Sequence, residues 1–178
     1  RKQYTLLRDT DSRYKKGIGL SSSIHNAGGA KIHKSDGCGT ILKVDDYARV
    51  TLITGASEIG QGIDAVVTLI VAEELGLPVE HVTIMNDDSD LAPWDVGVHA
   101  SRTTFIAGEG ARRAAVEARR QILNAASRFA DIPADALDLR GGFVVRDDDG
   151  SIVFKLEKLL RRMHFQPEPE LVMVTDYY

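Results

Sequence analysis

The sequence contains very little cysteine: Cys38 is the only one among 178 residues. A single cysteine cannot form a disulfide within the chain, and it cannot supply an iron–sulfur cluster or a structural zinc site. The sequence therefore predicts neither a disulfide framework nor a metal site made by the chain's own side chains. The lack of disulfides favours a reducing compartment, so we expect a cytoplasmic protein.

Basic charge and long apolar runs are also scarce. The chain has 22 Lys and Arg against 26 Asp and Glu, a net charge of −4, so we expect no nucleic-acid partner and no anionic membrane surface as partner. No apolar run reaches the length of about 18 residues that a membrane-spanning helix needs. The N-terminus has neither an initiator Met nor the apolar core of a signal peptide, so we expect that the chain was cut from a larger protein.

The pattern along the chain predicts an α+β fold in which mixed β-sheets pack against two main helices. Strands are predicted at residues 17–25, 40–44, 49–54, 82–85, 138–145 and 151–154, the last two forming a hairpin around 147–150. The main helices are predicted at residues 64–75 and 101–129, with a short one at 155–163. We divide the chain into a lead-in (1–16), one domain (17–165) and an extended tail (166–178).

The first informative loop is residues 55–62 (GASEIGQG), between a predicted strand and a predicted helix. A glycine-rich turn at a helix start can bind an anion through backbone N–H groups. A nucleoside-triphosphate loop would continue with Lys and Ser or Thr, but Gln61 and Gly62 stand there, which disfavours an ATPase or GTPase. The Gln61 amide suits a neutral ligand group such as an oxo group or a ring edge. The alternative is a plain strand-to-helix turn with Gln61 in solvent.

The second informative loop is residues 86–99, which lead into the longest predicted helix. Ser101, Thr103 and Thr104 are suited to cap that helix, and Arg102 adds a cation, which together favour a phosphate or pyrophosphate site. The alternative is an ordinary N-cap with Arg102 in a surface ion pair. The flanking glycines of Cys38 would allow it to be exposed, but no basic partner is visible that would make it a nucleophile.

These two loops occur in an order and spacing that resemble one known family. The matching segments are residues 36–40, 54–62, 72–78, 88–93 and 100–103, followed by Gly108. Together they resemble the molybdopterin-binding region in the large subunits of the xanthine dehydrogenase/aldehyde oxidase family, over residues 17–154. The run 94–99 more specifically resembles members that act as 4-hydroxybenzoyl-CoA (aroyl-CoA) reductases.

The resemblance implies a molybdopterin cytosine dinucleotide cofactor. It implies that Gln61 approaches the molybdenum centre or the pterin, and that the flanking glycines let the backbone come close to the cofactor. It also implies that Ala100 lies near the metal and that the next three residues hold the phosphates of the dinucleotide. The implied cofactor-binding residues are thus Gly60, Gln61, Gly62, Ala100, Ser101, Arg102 and Thr103.

The family's catalytic glutamate lies in a glycine-rich segment nearer the C-terminus, and no such segment follows Phe154. We therefore expect this chain to carry no catalytic residue and to be inactive alone. The implied partners are the remainder of its own large subunit together with iron–sulfur and flavin (FAD) subunits, which make up an oxidoreductase acting on an aromatic, aldehyde or aroyl-CoA substrate. The alternative is a non-catalytic binding or assembly module of the same fold that holds no cofactor.

Overall fold

A computed structural model describes residues 17–28 and 36–178 of the chain. A four-stranded sheet has the order β3-β2-β1-β7, with β1 (Gly39–Val44), β2 (Val50–Thr54), β3 (Val82–Met85) and β7 (Val172–Tyr177). A three-stranded sheet contains β4 (Leu137–Arg140), β5 (Phe143–Arg146) and β6 (Ile152–Lys155). The helices are α1 (Ile63–Leu75), α2 (Thr103–Ala130) and α3 (Leu156–His164). This architecture confirms the predicted α+β class.

The β1–β2 hairpin forms where alternating apolar residues flank an aspartate turn. Its strands pair antiparallel from Thr40 opposite Thr54 to Val44 opposite Val50. The Asp45 carboxylate closes the turn by accepting the backbone N–H groups of residues 47 and 49. The strands predicted at 40–44 and 49–54 are confirmed.

Helix α1 is the crossover between two parallel strands, β2 and β3. It ends at Gly76, whose φ of +59° is left-handed and whose N–H bonds to the carbonyls of Ala72 and Glu73. A Cβ at Gly76 would lie 2.3 Å from the Leu139 carbonyl oxygen, so both its backbone conformation and its surroundings require glycine. The predicted helix over 64–75 is confirmed.

Helix α2 packs through small residues along one face. Its buried positions include Gly108, Gly110 and seven alanines, so neighbouring elements come close to its backbone. A Cβ at Gly108 would lie 3.2 Å from Ile70 of α1, and one at Gly110 would lie 3.0 Å from Thr40 of β1. The small-residue face predicted for this helix is confirmed.

Helices α1 and α2 run in the same direction. Ile70 of α1 lies beside Gly108 of α2, and Glu74, one turn later in α1, lines one surface depression together with Val116 and Arg120 of α2. Residue numbers therefore increase in the same sense along both helices. As a result, both helices begin near the edge of the sheet at which β2 and β3 end.

Two predicted elements differ from the structure. Residues 17–28 form no strand, because no described strand pairs with them and their glycine- and serine-rich sequence leaves 17–27 exposed. The strand predicted at 138–145 is interrupted by a turn at Gly141 and Gly142, which separates β4 from β5. The predicted hairpin around 147–150 is confirmed as the β5–β6 connection.

The C-terminal tail contributes a strand that the sequence analysis did not identify. Val172–Tyr177 pairs antiparallel with β1 along its whole length. The predicted lead-in over 1–16 lies outside the described residues. Among the residues that are described, no helix is both long and apolar enough to cross a membrane.

Candidate functional site

Several loops meet at one edge of the four-stranded sheet. Because β2 and β3 are parallel, the loops that follow them, residues 55–62 and 86–102, leave the sheet at the same edge. Strand β1 begins at this edge, since Gly55 N–H donates to the Gly39 carbonyl at 3.3 Å. The edge therefore gathers both loops identified from the sequence, together with the starts of α1 and α2.

The second loop lies directly against the backbone of the sheet edge. A Cβ on Gly55 would be 2.3 Å from the Pro93 carbonyl oxygen and 2.8 Å from the Asp95 Cβ. A Cβ on Gly39 would be 2.5 Å from the Pro93 Cβ, and the Gly39 N–H donates to the Trp94 carbonyl at 2.8 Å. Both glycines are thus required by the close approach of residues 93–95.

The first turn contains an internal anion, Glu58. One carboxylate oxygen accepts the N–H groups of Gly60 at 2.6 Å and Gly62 at 3.0 Å, and the other accepts the Asp64 N–H at 3.3 Å. These bonds, among which that of Gly62 has the largest effect, lower the pKa of Glu58 below its usual value of 4.5. The sequence analysis missed this role, although an acidic residue just before a helix start is the expected signal.

Gln61 lies between Gly60 and Gly62, which have left-handed φ angles of +100° and +82°. Its amide oxygen accepts the Ile59 N–H at 2.7 Å, and its amide nitrogen donates to the Ser57 carbonyl at 2.9 Å. The side chain is exposed. The oxygen and the nitrogen of the Gln61 side-chain amide are therefore both bonded within the loop. A contact between Gln61 and a ligand stays a prediction.

The second turn contains two successive non-glycine residues in the left-handed region, Ala100 (φ +51°) and Ser101 (φ +52°). Each such residue costs about 1–2 kcal/mol, so surrounding contacts must impose the conformation. Helix α2 consequently begins at Thr103 and not at 101, with Arg102 as N-cap and no side-chain cap. The predicted hydroxyl caps are therefore absent, and the Ser101 hydroxyl instead lies 3.0 Å from the His25 ring Nε2.

The first backbone N–H groups of α2 have no acceptor within the helix, as at every helix start. They belong to Thr103, Thr104 and Phe105, of which Thr103 is buried and the other two are exposed. The exposed Ser101 and Thr104 hydroxyls lie on the chain next to these donors. This end of α2 therefore offers the donor set that a phosphate group needs.

Arg102 is buried, with 2% of its surface exposed. Its guanidinium donates to the carboxylates of Asp36 and Asp95 and to the carbonyls of Gly37 at 2.9 Å and Gly97 at 2.8 Å. The surface ion pair considered in the sequence analysis is therefore wrong. All three guanidinium nitrogens are bonded within the chain, and a contact between Arg102 and a phosphate stays a prediction.

A cavity of about 670 Å³ lies between the two loops. Ser57 and Glu58 line it from the first loop, and Asp87 and Trp94 line it from the second. Asn86 ties the loops together, because its amide donates to the Ala56 carbonyl at 2.8 Å and to the Asp64 carboxylate at 2.7 Å. The lining includes neither Gln61 nor Ser101, so the two turns share the sheet edge but not this cavity.

Cys38 is completely buried, although its flanking glycines would have allowed exposure. Its backbone pairs with Tyr178 on one side and bridges to Asp95 on the other, which places the thiol inside the sheet edge. Burial raises the pKa of the Cys38 thiol to about 11. Residues 17–28 and 36–178 contain no cluster of three or more His, Cys, Asp and Glu side chains able to hold a metal ion.

All 178 residues match the model of the molybdopterin cofactor-binding domain family. The chain belongs to this family. It is 37% identical over 139 residues to the gamma subunit of the 6-hydroxypseudooxynicotine dehydrogenase complex of Paenarthrobacter nicotinovorans, covering 78% of this chain and 17% of the relative. It is 31% identical over 132 residues to the xanthine dehydrogenase molybdenum-binding subunit of Escherichia coli O157:H7, covering 73% and 18%. The family resemblance found in the sequence is confirmed.

Solved structures of larger enzymes contain the same fold. The Cu,Mo-CO dehydrogenase in its carbon monoxide-reduced state has a TM-score of 0.75 at 20% identity, over 86% of this chain and 20% of its own. Quinoline 2-oxidoreductase from Pseudomonas putida 86 has a TM-score of 0.71 at 20% identity, over 81% and 19%. The chain thus spans about a fifth of the length of the proteins that it resembles.

Proposed function

We propose that this chain forms part of the cofactor-binding site of a molybdenum-dependent oxidoreductase, with the cofactor in its molybdopterin cytosine dinucleotide form. The observation that carries the proposal is the convergence of two backbone turns, each opening a helix, at one edge of the sheet of a molybdopterin-binding domain. Bound there, the molybdenum centre supplies the redox chemistry. We assign no catalytic residue to this chain and expect the family's glutamate elsewhere in the complete large subunit.

The residues present at this edge fit such a cofactor in two different ways. The start of α2, with backbone donors that have no acceptor within the helix and with the hydroxyls of Ser101 and Thr104, suits the dinucleotide phosphates. The start of α1 is already neutralised by Glu58, so it suits an uncharged group with hydrogen-bonding atoms, such as the pterin ring. There Gly60 and Gly62 leave open space beside the backbone, and the Gln61 amide has matching donor and acceptor atoms.

We propose that the complete enzyme transforms an aromatic substrate and passes the electrons to iron–sulfur and FAD subunits. Relatives of the chain are named for 6-hydroxypseudooxynicotine, xanthine and nicotinate, all of which contain nitrogen heterocycles. These names favour a heterocyclic substrate over the aldehyde or aroyl-CoA classes. Assays of the complete enzyme with nicotinate, xanthine, benzaldehyde and 4-hydroxybenzoyl-CoA would separate these classes, and turnover of only the last two would contradict the heterocycle proposal.

The cofactor proposal is tested by analysis of the enzyme that contains this chain. After denaturation, we expect about one molybdenum atom and one fluorescent pterin per large subunit, in line with a single site of this family. An enzyme that contains neither would instead be the non-catalytic module of the same fold.

A charge substitution tests the phosphate site more sharply. Thr104→Glu places a carboxylate in the first turn of α2, where it stabilises the helix by about 0.3–1 kcal/mol but repels a phosphate. We expect unchanged or higher thermal stability with a clear loss of bound cofactor. Lys158→Glu, an exposed first-turn position of α3, is the matched control and should retain the cofactor. Full cofactor content in Thr104→Glu would contradict the proposal that the phosphates bind at the start of α2.

A further inference from the structure

We infer that Arg102 is a positioning residue for the cofactor site: it holds the left-handed turn at Ala100 and Ser101 through buried contacts and does not itself bind the phosphates. The inference rests on the proposed function of this sheet edge. It assigns to Arg102 a role different from the direct phosphate contact that the family resemblance implies.

The contacts of Arg102 join three separate parts of the chain. Asp36 and Gly37 precede β1, Asp95 and Gly97 belong to the second loop, and Arg102 itself opens α2. With 2% of its surface exposed, the residue has no solvent-facing side from which to reach a ligand. A buried charge held by two carboxylates and two carbonyls fixes the relative positions of these parts.

The turn next to Arg102 needs such a hold. The described chain has four non-glycine residues with positive φ, namely Ala48, Ala100, Ser101 and Asp131. Ala48 lies in a short hairpin turn and Asp131 caps the C-terminus of α2, where single left-handed residues are common. Ala100 and Ser101 are consecutive and belong to neither kind of turn, so external contacts must maintain them.

The contacts that hold the turn come from both of its sides. On one side, the Gly28 N–H donates to the Ala100 carbonyl at 2.8 Å, and His25 lies against the Ser101 hydroxyl. On the other side stands Arg102, whose own N–H closes the turn onto the His99 carbonyl at 3.2 Å. Loss of the guanidinium contacts would leave the second side without an anchor. The turn could then relax and change the direction in which the first N–H groups of α2 point.

The test uses the holoenzyme, with molybdenum and pterin content after dialysis and the thermal midpoint as readouts. Arg102→Lys keeps the positive charge but loses the planar fork that contacts both carboxylates. We expect it to retain about tenfold less cofactor, the order expected when a strained turn loses its support. Asp95→Asn is the milder variant, since it keeps an oxygen acceptor, and should give a smaller loss in the same direction.

A rescue separates positioning from the other possible roles. Glycine adopts the left-handed conformation without strain, so Ala100→Gly added to Arg102→Lys should restore part of the cofactor while the Ser101 hydroxyl is kept. Ala48→Gly, which relieves similar strain in the distant hairpin, is the control and should restore none.

Each outcome decides the inference. Unchanged cofactor in both Arg102→Lys and Asp95→Asn would overturn it. So would a loss that Ala100→Gly does not rescue, which would mean direct phosphate binding or general destabilisation. If the wild-type holoenzyme contains no molybdenum or pterin, the proposed function itself fails.

Discussion

Replacing Gly55 with alanine should drive the two site loops apart. The new Cβ would lie 2.3 Å from the Pro93 carbonyl oxygen, 2.8 Å from the Asp95 Cβ and 3.0 Å from the Asp95 nitrogen. A carbon and a carbonyl oxygen normally approach to about 3.3 Å, so one loop must move by about 1 Å. Two of the three neighbouring atoms are backbone atoms, so no side-chain rotation relieves the overlap. We expect a loss of about 1–3 kcal/mol in the free energy of unfolding.

The displacement should be localised at residues 93–97. The Gly39 N–H donates to the Trp94 carbonyl and the Val96 N–H donates to the Gly37 carbonyl, so both hydrogen bonds should weaken when the second loop moves. Asp95 also binds Arg102, so the same displacement should loosen the buried cluster that supports the start of α2.

Urea unfolding of the 178-residue chain, combined with hydrogen exchange of the Gly39 and Val96 amides, measures both effects. Two matched variants separate their causes. Gly19→Ala has nothing within 4 Å and should change stability by less than about 0.5 kcal/mol. Gly60→Ala also has open space but a φ of +100°, so it should be strained without faster exchange at the two reporter amides. Native stability and native exchange in Gly55→Ala would refute the steric argument.

Three further predictions concern Glu58, Cys38 and β7. Backbone hydrogen bonds lower the pKa of Glu58, so the ionised carboxylate stabilises the folded state. This stabilisation is complete above pH 4.5 and is lost as the pH falls through the lowered pKa. The protection factor of the Gly62 amide, which is its exchange relative to an unstructured peptide at the same pH, should therefore fall on acidification in the wild type, whereas Glu58→Gln should give a low protection factor at every pH. The buried Cys38 thiol, with its pKa near 11, should react slowly with a disulfide reagent at pH 8 until urea is added, and immediate reaction would contradict its burial. Deleting residues 172–178 removes β7 and exposes β1. The free energy of unfolding should fall by about 1.5–3 kcal/mol for each of the two buried valines of β7. An unchanged urea midpoint would be evidence against the sheet order.

Elements that are specified locally could be predicted from the sequence. In strands β1 and β2, apolar residues alternate with other residues on either side of an aspartate turn. Helix α1 carries apolar residues at helical spacing up to Gly76. In these segments the hydrophobic period and the terminating residue point to the same structure. The two site loops were found for the same reason, since each lies between a strand and a helix that are themselves easy to identify.

Features that depend on distant contacts could not be predicted. Pairing of β7 with β1 joins residues more than 120 positions apart in the sequence, and nothing in residues 172–177 identifies the partner strand. Cys38 pairs through its backbone with Tyr178 and Asp95, which lie 140 and 57 positions further along the sequence. Conversely, residues 17–25 resemble a strand, but among the described residues nothing pairs with them.

The charges of the site show why residue type alone overstates phosphate binding here. Glu58 and Arg102 each stand beside a helix start, and the sequence suggested that Arg102 attracts an anion. In the structure, both charges are used inside the chain: Glu58 bonds to the N–H groups of its own turn, and Arg102 bonds to Asp36 and Asp95. We therefore propose that an anion bound at this edge contacts mainly the backbone donors at the start of α2, which no side-chain substitution removes directly. Substitutions of the buried Arg102 and Asp95 should act by moving those donors, whereas a carboxylate placed beside them, as in Thr104→Glu, should act by direct repulsion of the phosphate.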